Sequence, residues 1–77
     1  MYTVYVLRDR DGRFYKGLTS DLTRRLREHK SGSTITTSRM RELKVVYSEK
    51  YKTFEEAHAR EKYLKTSAGR RFLKKKI

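Results

Sequence analysis

Two charged side chains stand on helix faces where apolar ones are expected. In "DLTRRLREHK", at about 100° per residue, Leu22, Arg25, Leu26 and His29 fall within one arc of roughly 100°, the width of stripe a helix turns toward a core. In "TFEEAHAREKYLK", Phe54, Ala57 and Leu64 trace an apolar stripe of roughly 80°, and Glu61 falls inside it. A buried, unpaired carboxylate is very costly, so Glu61 must be paired, metal-bound, protonated or set in an open cleft. Two chemistries satisfy this pattern. A salt bridge between Arg25 and Glu61 would neutralise both charges. A cleft would instead take a phosphate on the guanidinium and a metal ion on the carboxylate. The spacing alone leaves both open.

The elements that must position these residues are legible from local pattern. "MYTVYVLR" is rich in β-branched and aromatic residues and reads as a strand. "DRDG" supplies turn chemistry, with Asp11-Gly12 suited to positive φ, and "RFYKG" reads as the returning strand of a hairpin, closed by Gly17. Thr19, Ser20 and Asp21 offer caps to a helix running from about Asp21 to Lys30. "SGSTITTSR" is a polar loop. "ELKVVYSEKY" is a third strand, and Thr53 with Glu56 fits a capping box that opens the second helix. After a break near Ser67 to Gly69, "RRFLKKKI" reads as a short basic terminal helix. The order β-β-α-β-α-α predicts an α+β fold in which a three-stranded antiparallel sheet is flanked by helices.

Composition narrows the function. Seventy-seven residues make one domain, 1–77, that buries only about 60–65% of the surface its unfolded chain exposes. Every polar group aimed inward is therefore a sizeable sacrifice. With no cysteine and only His29 and His58 as histidines, neither a disulfide framework nor a zinc site is expected. No apolar run approaches the roughly 18 residues of a membrane span, and the amino terminus does not read as a signal peptide. A cytoplasmic protein without membrane attachment is the expectation. The net charge of +12 and pI near 10.3 are the strongest global signal. Self-repulsion at that charge opposes compaction, and a nucleic acid is the partner that offsets it best.

The residues also resemble a known family. "TVY" at Thr3 to Tyr5 and "YKG" at Tyr15 to Gly17, ten residues from tyrosine to tyrosine, are similar to the signature of GIY-YIG nucleases. The resemblance runs on through "TSDLTRRLREHKSG" and "EEAHAREKYLK", covering essentially the whole chain. It is nearest to the small stand-alone bacterial members, and the same domain begins the incision subunit of nucleotide excision repair. Thr3 replaces the first glycine, and Lys16 replaces the aliphatic centre of the second tripeptide. In a strand, Lys16 alternates to the face opposite Tyr15.

The resemblance implies a GIY-YIG endonuclease that hydrolyses phosphodiester bonds in DNA with one divalent cation, Mg²⁺ or Mn²⁺. Glu61 would be the metal's protein ligand, and Arg25 would hold a nonbridging phosphate oxygen with its planar fork. Tyr15 would activate the attacking water, Tyr5 would position it, and His29, one helical turn beyond Arg25, would orient Tyr15 or the nucleophile or share the proton transfer. Around this centre, Arg24, Arg27 and Lys30 on the first helix are candidate DNA contacts. So are Arg39, Arg41 and Lys44 in the loop and third strand, and Arg70, Arg71, Lys74 and Lys75 in the tail. Such contacts give salt-sensitive affinity that is indifferent to sequence. No element reads as a recognition helix, so DNA structure or a protein partner is expected to supply selectivity. Two rival readings are a non-catalytic nucleic-acid-binding module on the same fold and an accessory subunit docking on an acidic protein.

Overall fold

In the computed structural model, residues 1–32 and 40–77 are described. Strand β1 (Tyr2–Arg8) lies between β2 (Phe14–Thr19) and β3 (Lys44–Tyr51) in an antiparallel sheet of order β2-β1-β3. Helix α1 (Leu22–Lys30) follows β2, and α2 (Phe54–Leu64) and α3 (Ser67–Lys74) follow β3. The predicted order β-β-α-β-α-α and the three-stranded antiparallel sheet are both present.

The continuous apolar run of β1 marks a strand covered on both faces, and Val4 to Leu7 are essentially inaccessible to solvent. Alternation sends successive side chains to opposite faces. Val4 and Val6, with Leu18 of β2, pack against Ala57, Leu64 and Leu73 of α2 and α3. Tyr5 and Leu7, with Tyr15 of β2, pack against Leu22 and Leu26 of α1. Each fully buried aliphatic side chain contributes about 1.5–3 kcal/mol, so these two thin cores stabilise the sheet from both sides.

Short polar side chains set the connections. The buried Asp9 carboxylate accepts hydrogen bonds from the Asp11 and Arg13 amides at 3.0 and 2.7 Å, and Gly12 turns the chain at φ 85°. Asp21 caps α1 by accepting from the Arg24 amide at 3.1 Å. Thr53 caps α2 by accepting from the Glu56 amide at 3.2 Å, and its hydroxyl donates to the Glu56 carboxylate at 3.0 Å. On the far side of the sheet, Arg60 donates from Nε and Nη2 to the two oxygens of Glu49 at 2.9 and 3.1 Å, fastening α2 to β3. Tyr47 and Tyr51 donate to the same carboxylate. Burial works against the ionised acid, but these donors outweigh it and hold the Glu49 pKa below its ordinary value.

Three sequence expectations are corrected. Strand β2 does not close at Gly17 but continues to Thr19, because Gly17, Leu18 and Thr19 remain paired with Tyr5, Val4 and Thr3. Phe54 is not part of the core stripe of α2: it is about half exposed, stacked on His58 and edge-on to Tyr2, which leaves Ala57 and Leu64 as the helix's buried residues. The break before the terminal helix falls at Lys65 and Thr66, not at Ser67 to Gly69. Thr66 caps α3 from the Gly69 amide at 3.1 Å, which allows the small residues to form its first turn. Gly69 is required there by contact. A Cβ at that position would collide with the Tyr63 carbonyl and the Leu64 backbone.

Glycine to alanine inside a helix ordinarily stabilises by about 1 kcal/mol. Gly69→Ala is expected to reverse that sign and destabilise by about 1–3 kcal/mol through overpacking of the α2–α3 junction. Urea unfolding of the variant beside wild type measures the difference.

Candidate active site

Tyr5 and Gly17 are cross-strand partners on the α1 face of the sheet. The far end of the Tyr5 ring lies over Gly17. A Cβ added there would stand 2.5 Å from the Tyr5 hydroxyl, 2.6 Å from Cζ and 3.0 Å from Cε1 of Tyr15. The glycine of the second tripeptide is therefore the gap through which the Tyr5 phenol passes. Its hydroxyl meets His29 Nε2 at 2.8 Å. Tyr15 packs edge-on against His29 with centroids 4.8 Å apart, and lies tilted to Tyr5 at 6.3 Å.

Helix α1 delivers Arg25 and His29 because its capped start points one stripe at the sheet. His29 is 2% exposed, whereas the Arg25 side chain keeps 35% of its surface open to solvent. Arg25 Nη1 bonds Glu28 Oε1 at 3.0 Å and also faces the hydroxyls of Tyr5 and Tyr15. The bond to Glu28, then the one to Tyr5, raises its pKa. Burial pushes the Tyr5 pKa up to about 12 despite the opposing pull of Arg25. Burial, then the Arg25 charge, lowers that of His29. At neutral pH the Tyr5–His29 pair is thus a neutral phenol bonded to a neutral imidazole.

Glu61 stands on α2, with 17% of its side chain exposed. Its ion-pair partner is Lys65, at 3.7 Å, while that of Arg25 is Glu28. The Arg25–Glu61 bridge is therefore not the arrangement adopted. The Glu61 charge also opposes ionisation of Tyr5, though more weakly than burial does. Tyr5, Tyr15 and His29 touch one another directly, Arg25 lies beside the two phenols, and Glu61 stands on α2 with Lys65 as its partner.

Among the described residues, no group of three or more histidine, cysteine, aspartate or glutamate side chains gathers to hold a metal. One hard carboxylate, with its lysine partner beyond hydrogen-bond range, fits an ion that takes one protein oxygen and keeps its waters, as Mg²⁺ or Mn²⁺ does. The same donor set does not suit zinc.

The expected DNA contacts Arg24, Arg27, Lys30, Arg41, Lys44, Arg70, Arg71, Lys74 and Lys75 are all exposed. Arg39 lies outside the described residues. Two features were missed from sequence. Glu28, the acid that holds Arg25, was signalled by its i,i+3 spacing. The role of Gly17 as a passage for Tyr5 had no signal, because it depends on cross-strand register.

This architecture and cluster define a class. The chain belongs to the GIY-YIG family: the profile of the GIY-YIG catalytic domain matches residues 1–76. It is similar to small proteins designated UPF0213. One from Streptococcus pneumoniae serotype 4 is 41% identical over 63 residues, covering 80% of this chain and 64% of that relative. This chain thus spans just under two thirds of that relative's length. One from Staphylococcus saprophyticus is 31% identical over 72 residues, covering 92% and 88%. The solution structure of a UPF0213 protein from Bacillus halodurans matches with a TM-score of 0.58 at 31% identity, over 95% of this chain and 82% of that one.

Two outcomes are expected from this geometry. Gly17→Ala should displace the Tyr5 phenol and destabilise by about 1–3 kcal/mol, read by urea unfolding. His29, with a native pKa below its ordinary 6.5, binds fewer protons folded than unfolded. Its contribution to stability is full above about pH 6.5 and lost as pH falls through the lower native value. Stability measured from pH 8 down to pH 5 should show this loss, and His29→Gln should flatten it.

Proposed function

We propose that this protein is a divalent-metal-dependent nuclease that hydrolyses phosphodiester bonds in DNA. The observation that carries the reading is the clustering of Tyr5, Tyr15 and His29 beside a partly open Arg25, with Glu61 on α2 left unpaired to that arginine. A structural salt bridge would have paired the two charges. Binding alone has no use for an acid in a basic cleft.

Arg25 holds a nonbridging oxygen of the scissile phosphate, its fork already directed by Glu28. As the attacking water forms its bond to phosphorus, charge grows on that oxygen, and the guanidinium meets it without reorganising. Tyr15 relays the proton of that water, accepting it at the phenol oxygen as its own hydroxyl proton passes to solvent. Tyr5, held as a neutral phenol, orients the water and is itself fixed by His29, which makes His29 a positioning residue. Glu61 supplies the protein oxygen for one Mg²⁺ or Mn²⁺ ion, which when bound stabilises charge on the phosphate and on the leaving oxygen. The bond from phosphorus to the leaving oxygen breaks, and that oxygen departs with a proton from solvent.

Cleavage of flap, branched, single-stranded and duplex DNA is measured with Mn²⁺ and with a chelator. The expectation is cutting only with the metal. Glu61→Ala should abolish it while leaving binding within about threefold, and Arg25→Lys, which keeps charge but loses the fork, should slow it more than about tenfold. Undiminished cutting by the Glu61 variant removes that residue from the reaction. Binding without cutting under every condition favours the non-catalytic module.

A further inference from the structure

Lys16, the residue that departs from the family's aliphatic centre, lies on the face of β2 opposite Tyr15, beside Leu18. It is half-buried, and it shares this side of the sheet with two further cations. Lys65 comes from the end of α2, and Arg70 from α3. Burial, then the charges of Arg70 and Lys65, lowers the Lys16 pKa. Among the described residues, neither Lys16 nor Arg70 takes part in an ion pair; Arg70 instead donates to the Lys65 carbonyl at 3.3 Å. Lys16 and Arg70, neither of them paired with an acid among the described residues, repel each other, and an anion that joins them relieves the repulsion. Lys65 also faces Glu61 at 3.7 Å, so the cations begin where the candidate active site ends.

Beside them opens a cavity of about 190 Å³ lined by Phe14, Lys16, Arg70, Leu73, Lys74 and Ile77. Its floor is apolar, and half of the Phe14 surface is open. A base stacked in a duplex cannot enter such a cavity, but an unpaired base can, with its phosphate on the rim.

We propose that Lys16, Lys65 and Arg70 hold a backbone phosphate of a bound strand, and that the adjoining cavity takes the unpaired base attached to it against Phe14. The ligand is then a single-stranded or flap segment of DNA. This rests on the nuclease reading for the strand's being a substrate, and deepens it by naming the substrate's structure.

Anisotropy with a short labelled oligothymidylate and a duplex of the same length, in chelator and across a salt series, tests it apart from catalysis. The double variant Lys16→Met with Arg70→Gln should weaken single-strand binding about tenfold or more and flatten the salt slope by about 0.7. Duplex binding should change by less than about threefold. Lys50→Gln with Lys52→Gln removes the same charge from exposed positions elsewhere and should weaken single-strand binding by less than about threefold. Phe14→Ala leaves every charge in place. It should cost single-strand binding about fivefold or more, since stacking of one base is worth ~1–3 kcal/mol, and it decides the matter even if the double variant fails to fold. Equal losses in the two double variants, or unchanged binding in Phe14→Ala, overturn the proposal. Cleavage with Mn²⁺ is followed separately. A protein that shows this binding pattern and never cuts loses the nuclease reading but keeps the strand site. One that cuts, with KM unmoved in the cluster variants, loses only the strand site.

Discussion

The passage of the Tyr5 ring over Gly17 is the constraint on which the site depends. A phenol on the central strand would ordinarily end against its neighbour's side chain. Here the neighbour has none, so the hydroxyl reaches His29 and lies within the influence of Arg25, Tyr15 and Glu61. Register makes this possible: a slip of one residue would place Lys16 or Leu18 opposite Tyr5 and turn the ring's neighbours to the other face. The buried aspartate of the β1–β2 turn and the aspartate-capped entry to α1 help to hold that register at both ends.

The two faces of the sheet carry different tasks. On one, α1 places an imidazole where a leucine would be expected and leaves a guanidinium half in solvent. The cost is a buried polar group, met by the hydrogen bond to Tyr5. On the other, Arg60 bonded twice to Glu49, and lying over the rings of Tyr63 and Phe72, joins β3, α2 and α3. Such a pair, with four donor bonds on one carboxylate, fixes where α2 lies and hence where Glu61 stands. In so small a domain, that polar clamp takes over part of what a larger apolar core would do.

Element types and their order were legible in the sequence because periodicity, caps and turn residues agreed at each step. The inward stripes of α1 and α2 singled out Arg25, His29 and Glu61; the fold buries His29 and leaves the other two partly open. The errors share one cause: tertiary contact overrode local pattern. Gly17 looked like a stop but sits within a ladder, and Gly69 looked like a break but is a point of close helix contact. Phe54 looked like core but stacks at the surface. The choice between a salt bridge and an open site was also beyond spacing, since Glu28 and Glu61 are both acids near the level of Arg25, and only the fold selects between them.

The order in which the chain supplies its groups has a consequence of its own. Tyr5, Tyr15, Arg25 and His29 all lie within the first two strands and the first helix, a stretch of local contacts that can assemble early. Glu61 arrives only when α2 docks across the opposite layer. A chain caught halfway has the Arg25 cluster without Glu61, so on the proposed nuclease reading completeness of the whole fold acts as an interlock on cleavage.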